Sequence, residues 1–234
     1  MRKININSVI SCALKGVVSR ITPIYLVVLL SLISTIPADG ATPSSKRDEN
    51  LDDLSFTEMI NSVELDAKSA ELIRKFQDKE GRNRLHNKEY NAKNSSMVET
   101  YRNKEVLLIT IPASKIFAPN EVELRREASA LLSPIKRYLK VPDMYRVLLV
   151  MHTDNTGSER YRERLTEERS MAVFDWFVKE GCDTRYLFSY AFGDEMQLVD
   201  NNSMSNRELN RRLEVYLVPG KKMLEQAKKG RIVF

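Results

Sequence analysis

The sequence predicts an α+β fold: a mixed β-sheet in the order β-α-β-α-β-α-β, with its helices packed on one face. Four short apolar segments of strand length recur between residues 101 and 220. The stretches between them place apolar residues three or four positions apart, which is the spacing of an amphipathic helix. The 42% hydrophobic content of the 234 residues is enough for one packed core. We therefore expect one domain over residues 101–220 that folds alone, with extensions on either side.

The four strands are predicted from their apolar content. Glu105–Pro112 and Tyr145–Met151 are mostly apolar, which is typical of strands that are buried on both faces. Leu187–Phe192 is the third predicted strand. Leu213–Val218 is the fourth and shows the alternation of a strand with two unlike faces.

The segments between these strands are predicted as helices. Glu121–Tyr138 carries apolar residues at helical spacing after the turn at Ala118–Asn120. A long helix follows the loop Thr153–Gly157 and is expected to stop at Gly181, because glycine readily takes the conformation that ends a helix. Asn206–Arg212 has a helical tendency before the last strand.

Residues 1–40 have the pattern of an export signal. Basic residues near the start precede the apolar run Ile24–Ile36, which is about 13 residues long, whereas a membrane-spanning helix needs about 20. Small residues at Ala38 and Gly40 follow, as at a signal-peptidase site. We expect a signal peptide that is cleaved near Gly40 or Ala41 and a mature chain in the periplasm. An uncleaved anchor in the inner membrane is the alternative.

Residues 41–100 are predicted as a linker that contains one amphipathic helix, at about residues 55–77. The helix starts at a capping box, Ser55–Glu58, and is expected to pack on the domain that follows it. A short oligomerising coil is the alternative for this helix. Lys79–Glu99 is polar and should be sensitive to proteases, and residues 221–234 are predicted as a basic C-terminal tail.

Composition argues against several classes of protein. The formal net charge of +5 does not indicate nucleic-acid binding, because removing residues 1–40 leaves 33 basic against 31 acidic residues. His86 and His152 are the only histidines, which excludes a multi-histidine metal centre. Cys12 lies in the predicted leader, so a mature chain keeps Cys182 alone and no disulfide framework is expected.

Six blocks of residues, taken in order, resemble one known family. His152–Gly157 is similar to the G-H-T-D-x-x-G signature of OmpA-like C-terminal domains, which are found also in Pal lipoproteins and flagellar stator proteins. The resemblance covers about 115 residues at family spacing, although Met151 and Ala118 replace the family's usual glycine and aspartate. The other blocks are Ile116–Asn120, Leu165–Ser170, Gly193–Glu195, Asp200–Asn201 and Arg207–Glu214.

The resemblance implies that Asp154 and Arg169 bind the diaminopimelate of a peptidoglycan stem peptide. The free end of that residue is a zwitterion, so its ammonium needs a carboxylate and its carboxylate is matched by the paired donors of an arginine. Asp154 follows a strand and Arg169 lies on the next helix, so the fold can bring both to one pocket. The alternatives are that Asp154 only caps the turn Asn155–Gly157 and that Arg169 only pairs with Glu163 or Asp154.

Four further residues belong to the predicted ligand site. Thr153 and Asn120 offer hydrogen bonds at its rim. Arg212 is a weaker candidate, taken from the two adjacent arginines that resemble the family's arginine pair. Arg162 stands where the family has an asparagine that lines the pocket, so it would add a cation there.

The resemblance implies a non-catalytic, outer-membrane-associated protein of the cell envelope that binds peptidoglycan and tethers the envelope to the wall. No cofactor or metal is expected, and the expected partners are peptidoglycan, other envelope proteins, the membrane through the N-terminus, and a second copy in a homodimer. The alternatives are a cell-wall-acting enzyme, or a stator or protein-interaction module on the same fold that has lost peptidoglycan binding. The sequence has no G-x-S-x-G elbow, and Ile24–Ile36 lacks the acidic residue that a stator's spanning helix carries.

Overall fold

The computed structural model describes most of the chain, with gaps within the first 96 residues. Residues 1–3 and 54–234 form one compact unit, and residues 4–53 form another, of which only Leu51 is described. Most of the predicted signal segment and of the predicted linker Lys79–Glu99 therefore lies outside the described residues. No described helix is long and apolar enough to cross a membrane. The described residues are 2–3, 51, 54–61, 65–80 and 97–234.

Six described strands form one mixed sheet. They are β1 (Arg2–Lys3), β2 (Met97–Tyr101), β3 (Val106–Pro112), β4 (Tyr145–His152), β5 (Leu187–Ala191) and β6 (Arg212–Pro219). Their order across the sheet is β1-β5-β4-β6-β3-β2. All neighbours are antiparallel except β4 and β5, which run parallel. The predicted α+β class with a mixed sheet is confirmed.

Two of these strands, β1 and β2, are not predicted by the sequence pattern. β2 lies at the end of the polar segment Lys79–Glu99 and pairs with β3. The turn Arg102–Lys104 that joins β2 to β3 has a positive φ at all three residues. β1 lies within the predicted leader and pairs with Tyr190 and Ala191 at the outer edge of β5. Both are edge strands with mixed polar sequences, so they lack the apolar run that marks the central strands.

Seven α-helices and one 3-10 helix are described. The α-helices are α1 (Phe56–Asn61), α2 (Ala67–Glu80), α3 (Ala113–Ile116), α4 (Ala128–Leu132), α5 (Glu159–Lys179), α6 (Met204–Asn210) and α7 (Lys221–Lys228), and the 3-10 helix is Ser133–Leu139. The long helix predicted after the Thr153–Gly157 loop is α5. It starts at Ser158, whose Oγ accepts a hydrogen bond from the backbone N–H of Tyr161 at 3.3 Å, and Gly181 follows it with φ of 69°.

The helix predicted over residues 55–77 is divided into α1 and α2. The predicted capping box is present: Ser55 Oγ accepts from the backbone N–H of Glu58 (3.3 Å), and Glu58 Oε2 accepts from the backbone N–H of Ser55 (2.7 Å). A second cap follows at Asp66, whose Oδ1 accepts from the backbone N–H of Ser69 at 2.9 Å. Because Asp66 caps a new first turn, a second helix begins there.

The helix predicted over residues 121–138 is also shorter than expected. It begins as α4 and changes at Ser133 into the 3-10 helix, which has Pro134 in its first turn. Proline has no backbone N–H and its ring clashes with the preceding turn, so a regular α-helix cannot continue through it. The tighter 3-10 helix still buries Ile135, Tyr138 and Leu139.

Both faces of the sheet are covered, whereas the sequence predicts helices on one face. β6 is buried at every position, and the side chains of a strand alternate between the two faces. Phe56 of α1 makes edge contacts with the rings of Tyr190 and Tyr216 at centroid distances of 5.6 and 5.2 Å. Tyr145 of β4 faces the other way and contacts the ring of Phe234 at 5.2 Å.

Residues 221–234, predicted as a basic tail, pack on the domain. Met223 and Ala227 of α7 are buried, and α7 contacts α2. Phe234 stacks on Tyr138 at a centroid distance of 5.8 Å. The basic residues that suggested a tail occupy the outer side of α7, while its apolar residues face the domain, so the composition of this segment masked an amphipathic helix.

A buried polar cluster lies on the sheet face that α1 covers. Glu214 of β6 accepts hydrogen bonds from Arg212 Nε (2.7 Å) and from the Tyr216 hydroxyl (2.7 Å), and its Oε2 is 3.1 Å from His152 Nε2. All four residues are buried. Burial alone would raise the pKa of Glu214, but the His152, Arg212 and Tyr216 contacts outweigh it and lower the pKa to about 2.

The cluster makes the stability of the fold dependent on pH. Because the folded pKa of Glu214 lies below its ordinary value of 4.5, its stabilising effect is complete above that value and is lost as the pH falls towards 2. Burial also lowers the pKa of His152, which opposes its protonation and acts in the same direction. We expect the free energy of unfolding, measured by urea denaturation, to fall steeply between pH 4.5 and pH 2.

Glu214→Gln should remove most of this pH dependence. At pH 7 it should also cost about 3 kcal/mol of stability, because it leaves the buried Arg212 without its carboxylate. Glu123→Gln, at an exposed position, is the matched control and should leave the denaturation curve unchanged. A Glu214→Gln protein with the wild-type urea midpoint would contradict this role of the cluster.

The packing of α1, α2, α7 and Phe234 changes the expected folding of residues 101–219. Gln77 of α2 is fully buried, donates to the backbone carbonyl of Glu105 (2.9 Å) and accepts from the Tyr145 hydroxyl (3.0 Å). A fragment of residues 101–219 exposes this surface and should be less stable than a fragment of residues 54–234 by about 3 kcal/mol or more. Urea denaturation of both fragments by circular dichroism tests this, and equal midpoints would contradict it.

Candidate ligand-binding pocket

A pocket of about 280 Å³ lies where β4 ends and brings together most of the predicted site residues. Asp154 enters it from the loop after β4, Arg169 from α5, and Arg211 from the residue before β6. The pocket is lined by Ala113, Ser114, Phe117, Pro119, Asn120, Thr153, Asp154, Thr156, Tyr161, Leu165, Arg169 and Arg211.

Asp154 is held by two donors of different kinds. Its Oδ1 accepts from the backbone N–H of Thr156 at 2.8 Å, which closes the turn that starts the loop. Its Oδ2 accepts from Arg211 Nη1. Burial alone would raise the pKa of Asp154, but the hydrogen bonds from Thr156 and Arg211 outweigh it and hold the pKa below its ordinary value. Asp154 therefore both closes a turn and presents a carboxylate to the pocket.

Arg169 is fixed in place by backbone carbonyls. Its Nε donates to the carbonyl of Glu121 (2.9 Å) and its Nη2 to the carbonyl of Ala118 (3.2 Å), and the guanidinium lies 4.8 Å from the centroid of the Phe117 ring. Burial and the nearby charge of Arg211 lower the pKa of Arg169, although a guanidinium stays protonated in proteins. Only 5% of Arg169 is exposed, so its charge is largely shielded from bulk solvent.

Thr153 and Asn120 lie at this pocket as well. The backbone N–H of Thr153 donates to the carbonyl of Gly193 (2.8 Å), which ties the end of β4 to the turn after β5. Asn120 is exposed, has φ of 61°, and accepts from the Tyr161 hydroxyl at 3.2 Å. A side chain at Gly157 would collide with the Tyr161 ring, because its Cβ would lie 2.9 Å from Cδ1, so this glycine lets the loop pack against the ring.

The structure does not bring Arg212 to the pocket. Its guanidinium bonds Glu214 in the buried cluster and the carbonyls of Asn210 (3.2 Å) and Met196 (3.0 Å). Its neighbour Arg211 contacts Asp154 instead. The sequence pattern missed Arg211 because successive residues of an extended chain point to opposite sides, and the choice between two adjacent arginines depends on this alternation. Arg212, Glu214 and Tyr216 are spaced two residues apart and so share one face of the strand, and this spacing is the sequence signal that assigns Arg212 to the buried cluster and Arg211 to the opposite side.

Arg162 also lies away from the pocket lining. Its Nε donates to Asp194 Oδ1 (2.7 Å) and its Nη1 to the carbonyl of Gly157 (2.6 Å). It therefore joins the loop after β4 to the turn after β5 from outside the pocket. The expectation that Arg162 adds a cation beside the ligand is corrected, because its side chain reaches the turn and the loop instead.

The fold and the pocket define a class of protein: a mixed-sheet domain with a charged pocket at the end of a central strand. Residues 116–211 match the model of the OmpA family. The match confirms the predicted resemblance to OmpA-like domains over these residues. The match covers the described elements from α4 to α6 and includes every residue of the pocket lining except Ala113 and Ser114.

Individual relatives agree with this family. The chain is 25% identical over 114 residues to Outer membrane protein A of Bordetella avium, covering 49% of this chain and 59% of that protein. It is 31% identical over 108 residues to outer-membrane lipoprotein YfiB of Pseudomonas aeruginosa, covering 46% of this chain and 64% of that protein. The chain thus spans less than two thirds of the length of these relatives. A solved MotB-like protein from Desulfovibrio vulgaris shares the fold, with a TM-score of 0.52, 22% identity, and coverage of 63% of this chain and 96% of that one.

The position of Arg162 gives a test of how the loop is held. Arg162→Asn places the family's amide there but removes both hydrogen bonds, so the loop should become more mobile. We expect faster amide hydrogen exchange at Thr156 and Gly157 and a loss of about 1 kcal/mol in stability, since the pair with Asp194 is partly shielded from water. Arg164→Asn, on the exposed side of α5, is the control. Unchanged amide hydrogen exchange in Arg162→Asn would show that Arg162 does not restrain the loop.

Proposed function

We propose that this protein binds peptidoglycan without catalysis, through the pocket of Asp154 and Arg169, and so helps to tether the cell envelope to the wall. The observation that supports this most directly is that a buried carboxylate and a buried guanidinium line the same pocket. A zwitterionic amino-acid end, such as the free end of diaminopimelate in a stem peptide, has the complementary pair of charges. Asp154 would bind its ammonium and Arg169 its carboxylate.

The geometry of Arg169 suits the recognition of a carboxylate. Its bonds to the carbonyls of Glu121 and Ala118 fix the plane of the guanidinium, so little side-chain entropy is lost when a ligand binds. Each charge-assisted hydrogen bond contributes about 1.5–3 kcal/mol. A few such bonds, after the cost of association, correspond to dissociation constants in the micromolar range.

The envelope location of this activity is part of the proposal. The relatives from Bordetella avium and Pseudomonas aeruginosa are named as outer-membrane proteins, and the leader pattern of residues 1–40 favours export of this chain. An arrangement for cutting peptidoglycan finds no support in the pocket. Asp154 is the one carboxylate among the described lining residues, so the pocket does not offer the pair of carboxylates that glycosidic cleavage generally uses.

Conservative substitutions at Asp154 and Arg169 test the site. Asp154→Asn keeps an oxygen that can accept from Thr156 but loses the charge, and Arg169→Lys keeps the charge but loses the planar pair of donors. Each substitution should raise the dissociation constant for purified sacculi, measured by co-sedimentation, by about 30-fold or more, because one charge of the ligand is left unmatched. Asp175→Asn and Arg164→Lys, both exposed on α5, are the matched controls and should bind as the wild type does.

The same incubation separates binding from catalysis. We expect the wild-type protein to sediment with sacculi and the supernatant to contain no soluble muropeptides by liquid chromatography. Release of muropeptides that is lost in Asp154→Asn would replace this proposal with an enzyme. Wild-type protein that stays in the supernatant at all concentrations would defeat the proposal, as would full binding by both substituted proteins.

A further inference from the structure

Arg211 places a second guanidinium in the pocket, beside the one that the proposed function uses. Among the described residues that line the pocket, Asp154, Arg169 and Arg211 are the charged ones, so one carboxylate faces two guanidiniums. The pocket therefore has an excess of one positive charge. A ligand with one ammonium and one carboxylate would leave that excess unmatched.

The two arginines differ in how firmly they are held. Arg169 is bonded to two backbone carbonyls and covered by Phe117, and it is 5% exposed. The side chain of Arg211 is 37% exposed, and its hydrogen bond is to Asp154. Arg169 is thus a fixed part of the pocket lining. The guanidinium of Arg211, in contrast, can turn away from Asp154 while the aliphatic part of its side chain stays at the pocket rim.

We propose, on the basis of the proposed function, that Arg211 determines ligand specificity by exchanging partners: a ligand ammonium displaces it from Asp154, and it then binds a second carboxylate of the ligand. The ligand class is therefore a peptide fragment with one ammonium and two carboxylates near one another. Arg169 binds the carboxylate next to the ammonium, and Arg211 binds the other.

This exchange of partners makes the pocket discriminate between ligands with one carboxylate and ligands with two. Breaking the contact between Arg211 and Asp154 costs free energy, and a ligand with a single carboxylate cannot recover it. A ligand with a second carboxylate gives Arg211 a new charge-assisted bond, so the number of such bonds does not fall. The pocket should therefore prefer the doubly carboxylated ligand by about tenfold, which corresponds to one such bond.

A stem peptide offers a second carboxylate from two sources. One is the main-chain carboxylate of diaminopimelate in a tripeptide that ends there, and the other is the α-carboxylate of the preceding γ-linked glutamate. The probes are the tripeptide L-Ala-γ-D-Glu-meso-diaminopimelate, its form with the main-chain carboxylate as an amide, and its form with isoglutamine in place of the glutamate. Each is titrated by calorimetry into the full chain, as wild type and as Arg211→Gln.

We expect one of the two amidated tripeptides to bind the wild type about tenfold more weakly than the parent tripeptide, which identifies the source of the carboxylate. In Arg211→Gln this difference should disappear, and that amidated tripeptide should bind at least as tightly as it binds the wild type, because Asp154 no longer has to release an arginine. Arg211→Lys should retain part of the difference. Lys115→Gln, an exposed cation on α3, is the charge-matched control and should keep the full difference.

The outcomes separate this inference from the function on which it depends. If the wild type binds the parent tripeptide but both amidated forms bind equally well, Arg211 does not bind a second carboxylate and the inference fails alone. The same holds if the tenfold difference persists in Arg211→Gln. If the wild type binds none of the three tripeptides, both the proposed function and the inference fail.

Discussion

The antiparallel pairing of β4 with β6 is the constraint on which both the core and the pocket depend. Its register places His152 opposite Arg212, at the end of both strands. Asp154 leaves one strand and Arg211 enters the other at this same edge, so their contact follows from the register. A slip by one residue would turn every side chain of β6 to the other face, which would separate Glu214 from His152 and Arg211 from Asp154.

The buried cluster on Glu214 fixes this register chemically. Arg212 inside the sheet must have a counter-charge, and Glu214, two residues away on the same strand, provides it. The contact that joins β6 to β4 is the one between Glu214 Oε2 and His152 Nε2, at 3.1 Å. A slipped β6 would lose this contact and leave buried polar groups unpaired, so the cluster opposes a slip at the end of the sheet where the pocket lies.

The sequence predicts the central elements of the fold well, because apolar runs and helical spacing depend on local chemistry. The strands β3 to β6, the helix α5 and the capping box at Ser55 are found where the pattern places them. The packing of α7 and Phe234 is not predictable in this way, since short amphipathic segments rich in lysine resemble tails until their partner surface is known. The division at Pro134 could have been predicted from proline's missing N–H.

In the pocket too, the residues that depend on local motif spacing are predicted correctly, and those whose direction depends on tertiary contacts are not. Motif spacing indicated Asp154 and Arg169, and the structure brings both to the pocket. Arg212 and Arg162 were selected by alignment of residue types, yet their side chains turn away, because side-chain direction is set by strand alternation and by the partners each finds. Arg162 bonds the nearby Gly157 carbonyl and also Asp194, which is 32 residues away in the sequence.

The place of β4 in the sheet has a mechanical consequence for a protein proposed to act as a tether. Asp154 lies two residues after a strand that is bonded on one side to β5 and on the other side, along its whole length, to β6. A pull on a ligand at Asp154, directed along β4, would load both rows of hydrogen bonds in shear, and many bonds would have to break together. An edge strand pulled sideways would instead open one bond at a time. The pocket is thus attached to a central strand, which resists such a pull better than the edge strands β1 and β2 do.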